Sequence, residues 1–369
     1  MRHGLSYIWI CLLSLIALTA CDVHEFPEDA GDKVPFTLHL DFSTEMPLYK
    51  EIVHTRGGED DPATKAAAEQ HDIRYIIKVF RTTDVRNSTR VAEESFVFSK
   101  DDIRDLNHTV TIDLYEGTYT FLVWADYVDA GSLEDKYYDT GDFAEIILSS
   151  KNPHNGNTDY RDAFRGEVTA TVTDPVYYVN SAAAAIDNQA TVPMIRPMGK
   201  YQFVSTDVDI FLTRVAEQMR EQGLLAGIDP SADPLLAYEQ LLKQIDLGEY
   251  QVVFRYNAFM PCSFNMFTNK PADSWTGITY RGALTMLQSG KMSLGFDYIF
   301  VNGTETTLAI SVAVFNKDGV EISSTNAINV PIVRSKLTLV TGDFLTSKSS
   351  GGVNIDPSYE GEDINIEIK

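Results

Sequence analysis

The residue whose surroundings most clearly call for chemistry is Cys21. It closes the run Leu18-Thr19-Ala20-Cys21, which follows a short basic start, Met1-Arg2-His3, and a nearly unbroken apolar stretch over residues 7–18. That order reads as a secretory leader over residues 1–20. The small residues before the cysteine match the bacterial lipobox, in which the thiol is acylated and becomes the new N-terminus. A membrane-spanning anchor is the competing reading, but the run falls short of the roughly 20 apolar residues that a spanning helix needs. The mature chain is therefore expected outside the cytoplasm, held to a membrane by lipid on Cys21.

The remaining thiol chemistry is limited. Cys11 leaves with the leader, so Cys262 is the one cysteine left after lipidation, and no intrachain disulfide can form. Exported small domains often depend on disulfides; this chain has to be held by packing. Cys262 reads as a buried, inert thiol in preference to a nucleophile.

Two other groupings could bind something. Asp126, Asp129 and Asp135, with Asp139 and Asp142 behind them, crowd one loop-rich stretch. Carboxylates and turn carbonyls at that density could hold Ca²⁺. EF-hand spacing is absent, however, and a chain with 53 acidic residues gathers some by chance. A solvated acidic loop with no metal is the preferred reading. Aromatic residues could form a platform for sugar: Trp124, Trp275, Tyr137, Tyr138, Tyr177 and Tyr178. Trp124 lies inside a strong strand pattern and belongs to a core. Trp275, in a turn-rich stretch, is the glycan-contact candidate, against a role in anchoring its loop.

No His-Glu-x-x-His, Gly-x-Ser-x-Gly, phosphate loop or Cys-x-x-Cys occurs. His24, His39, His54, His71, His108 and His154 are scattered singly and read as solvated or half-buried. The expectation is a protein without catalytic residues or a cofactor. Losing Arg2 with the leader takes the net charge from −23 to −24. Such a surface repels nucleic acid and anionic membranes, which excludes both as electrostatic partners.

These groups must be positioned by strands. Residues 21–33 are polar and read as a lipidated tether. Phe36, Leu38 and Leu40 then alternate with polar residues, as in a half-buried strand. Thr55-Arg56-Gly57-Gly58-Glu59-Asp60-Asp61-Pro62 marks an exposed loop. Ile73, Tyr75, Ile77 and Val79 resume the period of two. Residues 110–114 and 119–125 form a hairpin about Glu116-Gly117, and the second strand is apolar on both faces, so it is expected at the centre of a two-layer sandwich. Further strands are expected at 143–148 and 164–172.

A boundary is placed near residue 185, giving an N-terminal β-sandwich over 34–185 and a C-terminal one over 186–369. Strands are expected in the second at 201–205, 250–256, 296–301, 307–315, 320–323, 328–333, 337–340 and 364–368. Two short helices are inserted. One carries Val208, Phe211, Leu212, Val215 and Met219 at helical spacing. The other opens with Asp233 and Pro234, buries Leu235, Leu236, Leu242 and Ile245, and stops at Gly248. The fold class is all-β, two sandwiches in tandem.

Several segments resemble a known family. Tyr115-Glu116-Gly117-Thr118-Tyr119-Thr120-Phe121-Leu122-Val123-Trp124-Ala125-Asp126-Tyr127 is similar to the central hairpin of fimbrillin-like lipoproteins of gut and oral Gram-negative anaerobes. Phe259-Met260-Pro261, then Phe264-Asn265-Met266, resembles a mid-chain segment of one branch of that superfamily. Val330-Pro331-Ile332-Val333-Arg334-Ser335-Lys336-Leu337-Thr338, Thr341-Gly342-Asp343-Phe344-Leu345-Thr346 and residues 361–366 complete the likeness. Where the family often has Asn after the arginine, this chain has Ser335.

The resemblance implies transthyretin-like sandwiches in an outer-membrane or fimbrial lipoprotein: stalk, anchor or tip adhesin. It implies partners among other fimbrial subunits and on host or bacterial surfaces. In polymerising members an Arg-specific protease removes the lipid and first strand, and a strand of the next subunit fills the groove. The matching cut here would fall after Arg56, against the reading of Arg56 as an ordinary charged residue of its loop. The exchanging strands are then Phe36, Leu38 and Leu40 at one end and Ile364, Ile366 and Ile368 at the other. A tethered glycan-binding lipoprotein is the alternative, and a secreted hydrolase built on an acidic pair is a third class.

Overall fold

The computed structural model describes residues 32–43, 70–82, 92–101, 103, 105–151, 153–174, 187–223, 244–287, 290–347 and 353–358. The first part of the chain supplies β1 (Val34–Asp41), β2 (His71–Arg81), β3 (Glu94–Lys100), β4 (His108–Leu114), β5 (Gly117–Asp129), β6 (Tyr138–Asp139), β7 (Ile146–Leu148), β8 (Ala163–Val172) and β9 (Gln189–Ile195). Seven of these hydrogen-bond in the order β3-β2-β5-β8-β9-β1-β4. The sheet folds on itself. Phe36 of β1 lies against Phe121 of β5, 5.4 Å between ring centroids, although β8 and β9 separate the two strands along the sheet. The fold puts β3-β2-β5-β8 on one side of a core and β9-β1-β4 on the other.

That core is built from alternation. β1 buries Val34, Phe36, Leu38 and Leu40 and points Thr37 and His39 outward. β2 and β5 differ, because nearly all their residues are buried. Tyr75, Ile77, Val79, Phe121 and Val123 face β1 inside the sandwich. The other faces of the same strands carry Ile76, Phe80, Leu122 and Trp124 into a second, larger core. The central strand expected from its two apolar faces is β5.

The second core belongs mainly to the following elements: β10 (Met198–Ser205), helix α1 (Val208–Glu221), β11 (Gln251–Tyr256), β12 (Met260–Pro261), β13 (Ser263–Asn265), β14 (Lys270–Pro271), β15 (Ser274–Trp275), β16 (Thr279–Gly282), β17 (Thr285–Met286), β18 (Met292–Phe300), β19 (Glu305–Phe315), β20 (Glu321–Ser324), β21 (Ile328–Val333), β22 (Leu337–Gly342) and β23 (Asn354–Asp356). Ten of these strands form two five-stranded sheets, β17-β18-β10-β22-β23 and β16-β11-β19-β20 with β21 also on β19; β12 and β15 pair with each other, and β14-β13-β7-β6 form a four-stranded sheet. β13 pairs with β7, so a strand from the first part of the chain is hydrogen-bonded into the second. The architecture is all-β in several sheets.

Some expectations take a different form. β9 completes the folded seven-stranded sheet by pairing parallel to β1 and antiparallel to β8, so that sheet runs past residue 185. The strand expected over 143–148 shortens to β7. The first inserted helix is α1, with Val208, Phe211, Leu212 and Val215 buried as the spacing predicts. Residues 224–243, most of the second expected helix, lie outside the described residues. At its expected end, Leu247–Glu249 is a single 3-10 turn, with the Asp246 carboxylate accepting from the Gly248 amide at 2.9 Å.

Candidate functional site

The candidate exchange strand is β1, an interior strand of its layer. Seven residues, from Val34 to Leu40, pair antiparallel with β4, and Thr37 to Asp41 pair parallel with β9. Both backbone edges are therefore occupied, while alternate side chains enter the core. Phe36 and Leu38 are fully buried, and Phe42 just beyond β1 packs edge-on against Phe164 at 4.9 Å. The buried set Phe36, Leu38, Leu40 and Phe42 is worth on the order of 6–12 kcal/mol, at about 1.5–3 kcal/mol per large apolar side chain, as an upper bound. Outward, His39 lies between Thr109 and Gln189, with its Nδ1 3.0 Å from the threonine hydroxyl and its Nε2 3.1 Å from the glutamine side-chain oxygen. The flanking groups Cys21 and Arg56, and the terminal set Ile364, Ile366 and Ile368, lie outside the described residues.

The acidic loop is neutralised from within. Arg74 donates to both oxygens of Asp126, at 2.9 and 2.7 Å, and pairs with Asp135 at 2.8 Å. Asp135 also accepts from the Thr140 amide and hydroxyl, and Asp129 pairs with Lys136. These carboxylates already hold cations of the chain. No group of three metal-ligating side chains is gathered among the described residues. Trp275 is half-buried against the second core, with the Lys151 ammonium 5.7 Å from its ring centroid. Its burial against that core suits the loop-anchoring reading, and its remaining exposed part is what a glycan contact would use.

Missing from the sequence reading is a buried polar network that ties the segment before β8 to β10, β11, β16 and β18. Asp297 of β18 is 1% exposed. It pairs with Arg161, accepts from the Tyr256 hydroxyl at 2.5 Å, and lies 2.7 Å from His154 Nε2. Tyr201 bridges the hydroxyls of Tyr256 and Tyr280 at 2.7 and 3.0 Å. Beside it Lys200 donates to Asp159 at 2.7 Å, and Arg196 donates through Nε to both oxygens of Asp162 at 2.9 Å. His154, expected to be solvated or half-buried, is thus buried within this ion network.

Burial alone would raise the Asp297 carboxyl; Arg161 and His154 outweigh it and hold the group below its ordinary value. Burial pushes Tyr201, Tyr256 and Tyr280 well above the usual phenol range. The network has acid, base and hydroxyl groups that pair with one another and, Asp159 apart, are buried, so its chemistry is cohesion between parts of the chain. His154 Nδ1 is the one buried side-chain atom of the network without a hydrogen-bond partner among the described residues. A sequence signal did exist: Arg196 and Lys200 stand among Met198, Tyr201 and Phe203, where a buried strand would place them.

Burial, then Asp273, pushes the Cys262 thiol up to about 12. It is a buried free cysteine, as read from the sequence.

Residues 32–369 match the model of a family of unknown function, DUF6562. No curated protein matches the chain. Among solved structures, a proposed adhesin from Bacteroides thetaiotaomicron is similar at 13% identity, with 88% of this chain and 97% of that one covered and a TM-score of 0.42. The fimbrial anchor protein Mfa2 from Porphyromonas gingivalis shares 12% identity over 84% of this chain and 90% of that one, with a TM-score of 0.40. A fimbrial assembly protein from Parabacteroides distasonis shares 12% identity over 88% and 94%, with a TM-score of 0.36. By name these are adhesin and fimbrial proteins.

Proposed function

We propose that this chain, which belongs to the DUF6562 family of unknown function, is a surface lipoprotein of a Gram-negative envelope that serves as a fimbrial subunit, anchor or adhesin and joins its neighbours by strand exchange. In this reading Cys21 carries the lipid, residues 21–33 are the tether, and two transthyretin-like sandwiches in tandem form the body, dividing near residue 185 except that β9 of the first sheet lies beyond it. Cleavage after Arg56 frees β1. A neighbour's strand, such as the one carrying Ile364, Ile366 and Ile368, then enters the slot between β4 and β9.

One observation carries the reading. β1 is interior, paired on both edges, and seated by alternate large side chains over residues 34–40. Backbone pairing supplies the affinity of an added strand, and alternate pockets supply its register. The charge of the mature chain leaves the lipid as the membrane contact. Cys21→Ala should then release the protein from the outer-membrane fraction. The test of processing is the N-terminus of the native protein on cells. An acylated Cys21 marks the anchored form, and a start at Gly57 marks the assembled one. If neither is found, the reading fails.

A further inference from the structure

The outer face of the β16-β11-β19 sheet carries an unusual pair of charges. Arg255 of β11 is opposite Thr279 of β16, and Arg281 is opposite Val253. The two arginines are therefore diagonal neighbours on one face, and both are exposed. Among the described residues neither has an ion-pair partner, although the chain has 53 acidic residues against 30 basic ones. Like charges placed close together across a strand pair oppose each other. An external anion would relieve that repulsion.

A groove of about 380 Å³ opens beside Arg255, lined by Asn257, Phe259, Thr276, Gly277 and Thr279 among others, with no carboxylate in its lining. Phe259 forms its lip and is 70% exposed, whereas Met260, Cys262, Phe264 and Met266 after it are buried. The loop is thus anchored by its apolar residues and leaves one ring facing water. Gly277 has φ +70° with open space around the position of a Cβ, so the turn on the far side of the groove stays low.

We propose that this groove is a binding site for an anionic sugar, a uronate or a sulfated residue of a glycan. Phe259 stacks on the apolar face of the ring. Arg255 holds the carboxylate or sulfate with a paired donor fork, which an ammonium could not offer. Arg281 contributes charge to the same face, and the hydroxyl and amide groups of Thr276, Thr279 and Asn257 face the sugar hydroxyls. A groove of this volume accommodates one or two sugar rings. The ring beside a guanidinium favours a sugar over an acidic polypeptide, for which charge alone would be enough. The inference is independent of strand exchange.

The test is titration calorimetry of the mature soluble chain with tetragalacturonate and with a chondroitin sulfate tetrasaccharide. Maltotetraose serves as the neutral control and poly-glutamate as the acidic polypeptide. At least one anionic oligosaccharide should bind, and maltotetraose should not. Arg255→Ala and Phe259→Ala should each weaken binding about tenfold or more. Both should keep the parent melting temperature, since both side chains are exposed. Affinity should fall as salt rises. No binding by either anionic sugar overturns the proposal, as does equal binding of maltotetraose. Poly-glutamate binding that is as tight and is insensitive to Phe259→Ala also overturns it, and identifies an acidic protein surface instead.

Discussion

The rings of Phe36 and Phe121 are stacked with 5.4 Å between centroids and 7° between planes, one on β1 and the other on the opposite layer of the same folded sheet. This contact fastens β1 to the body. Phe36→Ala removes a fully buried ring and should cost about 3–5 kcal/mol. Chemical denaturation should show it as a lower midpoint. The same variant should release β1 more readily after cleavage. A cost below about 1 kcal/mol would mean that β1 is not seated through this side chain.

The Arg161–Asp297 pair makes a different prediction. Arg161→Ala leaves a buried carboxylate without its main counter-charge and should destabilise the protein by about 3–5 kcal/mol. The pH dependence follows from the depressed Asp297 carboxyl. Its contribution is present above the unfolded value near 3.9 and is lost as pH falls through the lower folded value. The stability gap between the parent and Asp297→Asn should therefore be wide at pH 7 and narrow below about pH 4. A gap that widens in acid would show that the carboxylate is not held ionised by Arg161 and His154.

Cys262 should resist thiol reagents in the native state, because burial pushes its thiol up to about 12. Reaction with a chromogenic disulfide should follow global unfolding and show no fast phase. The melting temperature of the monomer should not move with added reductant. A fast stoichiometric reaction at neutral pH would contradict the buried environment.

Ser335 sits at φ 59°, the left-handed region that Asn and Gly tolerate better than other residues. Its amide donates to the Met198 carbonyl at 2.9 Å, so the conformation is held by the pairing of neighbouring segments. Ser335→Asn should raise stability by about 0.5–1 kcal/mol. A loss on that substitution, read by thermal melting, would show that the serine hydroxyl has a role of its own.

What could be read in the sequence divides along physical lines. β1, β2 and β5 were legible because alternation or two-faced apolarity is a local record of burial. The stripe of α1 was legible for the same reason at helical spacing. β9 was not, although Ala190, Val192 and Met194 alternate with Gln189, Thr191 and Pro193, because Pro193 argues against an interior strand and its place depends on parallel pairing with β1, far away in the chain. The paired state of Asp126 and Asp135 was hidden because Arg74 comes from another strand. His154 and Asp297 are separated by most of the second half of the chain, and their contact is a property of tertiary packing. For the candidate site, the apolar alternation of β1 was visible, but its occupation on both edges was not.

Strand exchange is tested most directly by limited trypsin digestion of the mature chain, followed by gel filtration and mass spectrometry before and after mild heating. The account predicts first cleavage after Arg56 with both cores intact, and release of the fragment bearing Phe36, Leu38 and Leu40 on heating. The remainder should then form oligomers, and a peptide spanning residues 34–42 should return them to monomers. A clipped protein that keeps its fragment and stays monomeric after heating would contradict strand exchange, and so would a fragment-free body that stays monomeric.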